Sequence, residues 1–109
     1  MRIAVTGIGI VSAAGMNAAE TLATLREGRS GIVLRPTRLV TRHRLPVGEV
    51  ALSNEELARR LGIGKLQSRT TLLGMLAAEE ALRDAGGPRP RTALVSATSV
   101  GGMDLTECF

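Results

Sequence analysis

Three features of this chain have chemistry to offer: a thiol, an imidazole, and glycine turns that follow apolar runs. Cys108 is the only cysteine. A thiol becomes a nucleophile when a base, a cation or a helix N-terminus stabilises its thiolate. Cys108 instead follows Glu107 several residues into an expected helix, a setting that favours the thiol, so it reads as a bystander. His43, the only histidine, sits in an arginine-rich loop with no acid close in sequence, which describes an exposed side chain rather than a catalytic base. No set of His, Cys, Asp and Glu has the spacing of metal ligands. Gly7 and Gly9 follow an apolar run and invite a dinucleotide-binding reading. Against it, Ser12 stands where a third small residue belongs, and the first helix starts only near Asn17, too late to face a pyrophosphate. No second strand ends in an acid at the distance that reading needs. Gly62-x-Gly64-Lys65-Leu66 lacks both the spacing and the Ser/Thr of a phosphate loop.

The elements that position these residues follow from periodicity and end signals. Arg2 to Val11 is apolar and β-branched, as in a strand buried on both faces. Its two glycines mark a bulge or a place where another backbone comes close. Asn17 with Glu20 forms a capping box for a helix from about Ala18 to Glu27, in which Leu22 and Leu25 share a face and Gly28 is a left-handed stop. Ile32-Val33-Leu34 is a short extended piece and Val47 to Val50 a short strand. Between them, Arg35, Arg38, Arg42, His43 and Arg44 make the most basic stretch, read as a solvated loop, with contact to an acidic partner as the functional alternative. Ser53 with Glu56 caps a brief second helix that Gly62 ends. The long helix runs from Ser68 or Arg69 to Asp84, with Leu72, Met75, Leu76, Leu82 and Ala85 as its apolar stripe. Gly74, Ala77, Ala78 and Ala81 leave room for a close neighbour, and Gly86-Gly87-Pro88 stops the helix. Thr92 to Thr98 reads as another buried strand, ending in a glycine turn, and Met103 onward starts a further helix.

Size and composition bound the answer. The chain has 109 residues, a net charge of +4, one Phe and no Trp or Tyr. That is one small α/β layer unit with an aliphatic core. The positive charge suits an anionic surface or an acidic partner. Nucleic acid is disfavoured because no aromatic is interleaved with the basic residues for stacking. No apolar run is long enough to span a bilayer, and Thr6, Gly7 and Gly9 break the faint likeness to a secretory leader. A lone cysteine fits a reducing compartment, so the expected location is cytoplasmic.

Four blocks in order resemble the β-ketoacyl-[acyl carrier protein] synthases, the condensing enzymes of fatty-acid and polyketide assembly. They are Val5-Thr6-Gly7-Ile8-Gly9-Ile10-Val11-Ser12 with Gly15, then Leu25-Arg26-Glu27-Gly28-Arg29-Ser30-Gly31-Ile32. Ala77 to Gly86, with its Ala81-Leu82-Arg83-Asp84-Ala85-Gly86 end, and the turn Ser99-Val100-Gly101-Gly102 complete the set. Ala14 departs from the proline common in the first block, and Ser68 from the acid that often precedes the long helix.

The resemblance implies residues 1–109 of the N-terminal domain of a thiolase-like α-β-α-β-α fold, truncated before the active-site cysteine. It implies an acyltransferase that needs no cofactor, works with acyl carrier protein and forms a homodimer. The family's catalytic cysteine and two histidines lie past residue 109, and neither Cys108 nor His43 matches them, so this stretch alone is expected to have no catalytic residue. Two carry-overs remain. Val100 matches a residue that lines the acyl pocket in relatives, with an ordinary buried valine as the plain alternative. Lys65, with Arg59 and Arg60 nearby, matches a carrier-protein contact, with a solvated face as the alternative. The competing function is a non-catalytic α/β module that only docks a carrier protein, or a truncated remnant.

Overall fold

The structure, a computed structural model, describes residues 1–36, 38, 41–65 and 67–106. In chain order it holds helix α1 (Ala18–Arg26), strands β1 (Ile32–Val33) and β2 (Val47–Gly48), and helices α2 (Asn54–Leu61), α3 (Arg69–Asp84) and α4 (Met103–Thr106). Cys108 lies outside the described residues.

Each longer helix begins at a side-chain cap. Asn17 Oδ1 accepts from the Glu20 N–H at 2.8 Å. The reciprocal half of the expected capping box is displaced: the Glu20 carboxylate accepts from the Met16 N–H at 2.8 Å, one residue before the cap. Ser53 and Glu56 form the full reciprocal box at the start of α2, at 3.1 and 2.7 Å. These bonds hold the Glu56 carboxyl below its ordinary range, the Ser53 backbone N–H contributing most. Ser68 caps α3 by accepting from the Thr71 N–H at 3.2 Å. The helices end as the glycines require, with Gly28, Gly62 and Gly86 all at positive φ.

The buried core is the contact between α2 and α3. Leu57 and Leu72 are fully buried with Ala58 beside them, and Met16, Leu52, Leu61, Ile63, Leu73 and Leu76 close around them. Arg69 ties the chain ahead of α2 to the start of α3. Its guanidinium donates to the carbonyls of Val50 and Leu52 and to Asn54 Oδ1.

The sheet is smaller than the sequence suggests. β1 and β2 pair antiparallel, Ile32 opposite Gly48 and Val33 opposite Val47. The runs expected as core strands, Arg2 to Val11 and Thr92 to Thr98, are in no strand. Val5 and Val95 are 83% and 93% exposed. A strand needs a backbone that pairs with its N–H and C=O groups, and among the described residues no backbone pairs with either run. The α1 face carrying Leu22 and Leu25 is likewise exposed, and the one buried residue of that helix is Thr24.

Candidate functional site

The opening run is held by α3 instead of by a strand. Its Ile8 N–H donates to Asp84 Oδ2 at 3.0 Å, and its Ile10 N–H donates to Glu80 Oε2 at 2.9 Å. The other Glu80 oxygen, Oε1, accepts from the Ala18 N–H at the start of α1, at 2.8 Å. The spacing has a simple origin. Two residues of extended chain advance about 6.7 Å, and four residues of helix advance about 6 Å. Acids four apart on α3 therefore meet amides two apart on the run. The glycines keep the same register. A Cβ on Gly7 would lie 2.2 Å from the Ala81 carbonyl oxygen, and one on Gly9 would lie 1.8 Å from that of Ala77. The run thus descends α3 antiparallel to it, over the small residues Ala77, Ala81 and Ala85. The close approach expected at Gly7 and Gly9 is present, and on α3 it falls at Ala77 and Ala81, whereas Gly74 has no neighbour within reach of a Cβ and, with Ala78, walls an open groove.

The turn that follows is fixed as firmly. Ser12 and Gly15 bond each other's backbones at 2.9 and 3.3 Å, and the Thr24 hydroxyl donates to the Ala14 carbonyl at 2.8 Å. Gly31 and Gly48 at the base of the hairpin lie against Ala13, close enough that a Cβ would stand 2.4 Å and 3.3 Å from Ala13 atoms.

Two hollows flank α3. One, of about 710 Å³, lies between the start of α1 and the polar face of α3, and Arg60, Glu80, Arg83 and Asp84 are among its walls. Two carboxylates, Glu20 and Glu80, already accept backbone N–H groups at this end of α1. Their charge opposes a pyrophosphate there, which removes the physical basis of the dinucleotide reading. The other hollow, of about 560 Å³, is an apolar groove between α3 and residues 94–105, walled by Gly74, Met75, Ala78, Leu94, Ala97 and Leu105.

The residues singled out from the sequence are not gathered in one place. Arg59 and Arg60 are exposed in the last turn of α2, and Lys65 is exposed in the connection to α3. Arg60 reaches the polar hollow. Val100 is 60% exposed and is not among the residues walling the apolar groove, although the neighbouring Gly101 and Gly102 are. His43 is exposed. Among the described residues, no group of three or more His, Cys, Asp or Glu side chains could hold a metal ion, and no helix is long and apolar enough to cross a membrane. The sequence reading missed Glu80, Asp84 and Arg69. The first two had a signal in their i,i+4 spacing beside small residues, which matches the Gly-x-Gly spacing.

A helix pair, a short hairpin and a glycine-bearing run latched by carboxylates define a small α/β unit. Over 99% of its length the chain is 37% identical to 3-oxoacyl-[acyl-carrier-protein] synthase 1 of Escherichia coli strain K12. The protein of the same name from Buchnera aphidicola subsp. Schizaphis graminum is 31% identical over 77% of the chain. The resemblance to the β-ketoacyl synthases therefore holds along the chain, which spans 28% of the Escherichia coli protein and 21% of the Buchnera one. No protein-family model matches the chain, and no solved structure gives a significant match.

Proposed function

We propose that these residues are the opening part of a β-ketoacyl-[acyl carrier protein] synthase with a thiolase-like fold. The supporting observation is the 37% identity to a 3-oxoacyl-[acyl-carrier-protein] synthase 1 along nearly the whole chain. In the reaction the resemblance implies, a thiolate takes an acyl group from a carrier-protein thioester. Malonyl carrier protein then loses CO₂, and its carbanion forms the new C–C bond as the acyl C–S bond breaks. Thiolate and oxyanion stabilisation are the tasks of a cysteine and two histidines, which this reading puts downstream. The part played by residues 1–109 is then to frame the site.

Lys65, Arg59 and Arg60 are proposed as the contact for acidic acyl carrier protein, supported by their exposure at one end of α2. Val100 is proposed as an acyl-pocket residue, supported by its place in the glycine turn. Fatty-acid or polyketide assembly, a homodimer and a cytoplasmic setting belong to the same proposal. The test is a condensation assay on the protein made from the complete gene, with acyl and malonyl carrier proteins. Release of CO₂ with formation of a 3-oxoacyl carrier protein is the expected result. A folded, inactive complete protein would overturn the reading, as would condensation by residues 1–109 alone. In the active protein, Lys65→Glu should raise KM for the carrier protein and leave kcat near its original value.

A further inference from the structure

From Gly28 to Gly48 the chain carries five arginines and its only histidine, and no acid at all. The acids elsewhere are largely engaged. Glu20, Glu80 and Asp84 accept backbone amides, Glu56 caps α2, and Glu27 and Glu79 pair with Arg29 and Arg83. Two of the loop's cations have acids to act on. Arg29 has its Glu27 partner, and Arg38 is tied through its backbone N–H to Glu49 at 3.2 Å while its charge acts on Glu55 and Glu56.

The remaining three, Arg35, Arg42 and Arg44, have no ion pair among the described residues. With Leu34, Pro36, Thr41 and His43 they line a concavity of about 250 Å³ at the end of the β1–β2 hairpin. The polar side chains among its lining residues are rich in donors. A guanidinium has N–H groups and no acceptor. Thr41 Oγ1 already accepts from the His43 N–H at 3.1 Å, which leaves its O–H to donate outward. The hairpin that carries this cup is seated on Ala13 through Gly31 and Gly48, so its base is fixed.

We infer that this cup is a subsite for a phosphate monoester group. Guanidinium forks match phosphate oxygens in geometry and charge. Three unpaired guanidiniums with no acid between them leave an excess of positive charge that a dianion neutralises better than a single carboxylate does. The inference stands apart from the proposed condensation and uses none of its residues.

The test is titration of the intact protein with inorganic phosphate and with glycerol phosphate, following the imidazole NMR signal assigned by its loss in H43Q. Chloride at matched ionic strength and an oligoglutamate peptide serve as comparisons. The expected result is a saturable shift with both phosphates that chloride does not reproduce, and a midpoint raised at least tenfold in R42Q/R44Q. Glycerol phosphate is expected to bind as inorganic phosphate does, because guanidinium forks recognise the phosphate oxygens that both present. An equal shift with chloride would overturn the inference and show general screening. An unchanged midpoint in R42Q/R44Q would also overturn it. So would a response to the acidic peptide with none to phosphate, which would make the patch a protein-docking surface. R42Q/R44Q changes exposed side chains only, so an unchanged circular dichroism spectrum is expected, and a change would be followed by the milder R44K.

Discussion

One added methyl group tests the glycine register on which the opening run depends. A Cβ at Gly9 would lie 1.8 Å from the Ala77 carbonyl oxygen and 2.8 Å from the Ala81 nitrogen, against the 3.4 Å of an ordinary contact. Both neighbours are backbone atoms inside α3, so the helix cannot yield without breaking its own bonds. The run must lift by about 1.6 Å, the difference between 3.4 and 1.8 Å. The Ile10 N–H, now 2.9 Å from Glu80, would then pass beyond hydrogen-bond reach. Glu80 is poorly placed to follow it, because its second oxygen is held by Ala18 at 2.8 Å. Loss of a bond to a charged acceptor costs about 1.5–3 kcal/mol. The more exposed Ile8 bond can be replaced by water, so it adds less than about 1 kcal/mol. Gly9→Ala should therefore destabilise the protein by about 2–4 kcal/mol, a large part of the roughly 5–15 kcal/mol that holds a typical domain folded. Urea unfolding of the intact protein reads the total, and amide hydrogen exchange reads Ile8 and Ile10 separately. Unchanged stability with unchanged protection at Ile10 would refute the argument.

Further expectations follow from the same contacts. Glu80→Gln can still accept one amide, but its NH₂ then faces the other, so a loss of about 1.5–3 kcal/mol is expected in urea unfolding. Non-additivity with Asp84→Asn in a double-mutant cycle checks that the two acids act on one segment. Arg69→Lys leaves one ammonium where a planar fork served three oxygens, and a loss of about 1–3 kcal/mol is expected. The Glu56 carboxyl is held below its ordinary range by the Ser53 amide and hydroxyl. Its stabilising effect is therefore complete above the unfolded value of about 4.3 and is lost as pH falls through the lower folded value. Helix content followed by circular dichroism should fall over that acid window, and Glu56→Gln should flatten this part of the curve.

What the sequence made legible was local. Asn17, Ser53 and Ser68 mark the helix starts, and Gly28, Gly62 and Gly86 mark the stops, because caps and left-handed turns are properties of adjacent residues. Helical spacing puts Leu72 on the apolar stripe of α3, while its contact with Leu57 comes from the packing of α2 on α3. The strands were not legible in the same way. An apolar, β-branched run such as Ile3 to Val11 states what its side chains favour and leaves open which backbone meets its amides. Here the partners of Ile8 and Ile10 are carboxylates some seventy residues away. The proposal of Arg59, Arg60 and Lys65 as a carrier-protein contact rests on matches to a family pattern, and the cup on the hairpin was legible only as a basic loop. Its concavity depends on the β1–β2 pairing, which puts residues from both ends of the connection around one hollow.

Gly74 supplies the complement to Gly9, since the same substitution there carries the opposite sign. It lies within α3, has no positive φ, and a Cβ on it would meet nothing within 4 Å. Glycine in a helix interior costs about 0.8–1 kcal/mol relative to alanine. Gly74→Ala should therefore stabilise α3 by about that much, read as a raised urea midpoint in the intact protein. The residue also walls the apolar groove beside Met75, Ala78 and Leu105. If the groove is covered closely in the intact protein, the added methyl meets that cover and the midpoint falls instead. The two substitutions thus report on two successive stretches of one helix. Gly9→Ala measures a contact that the described chain makes for itself. The sign of Gly74→Ala tells whether the groove stays open to solvent, as these residues leave it, or receives a further element.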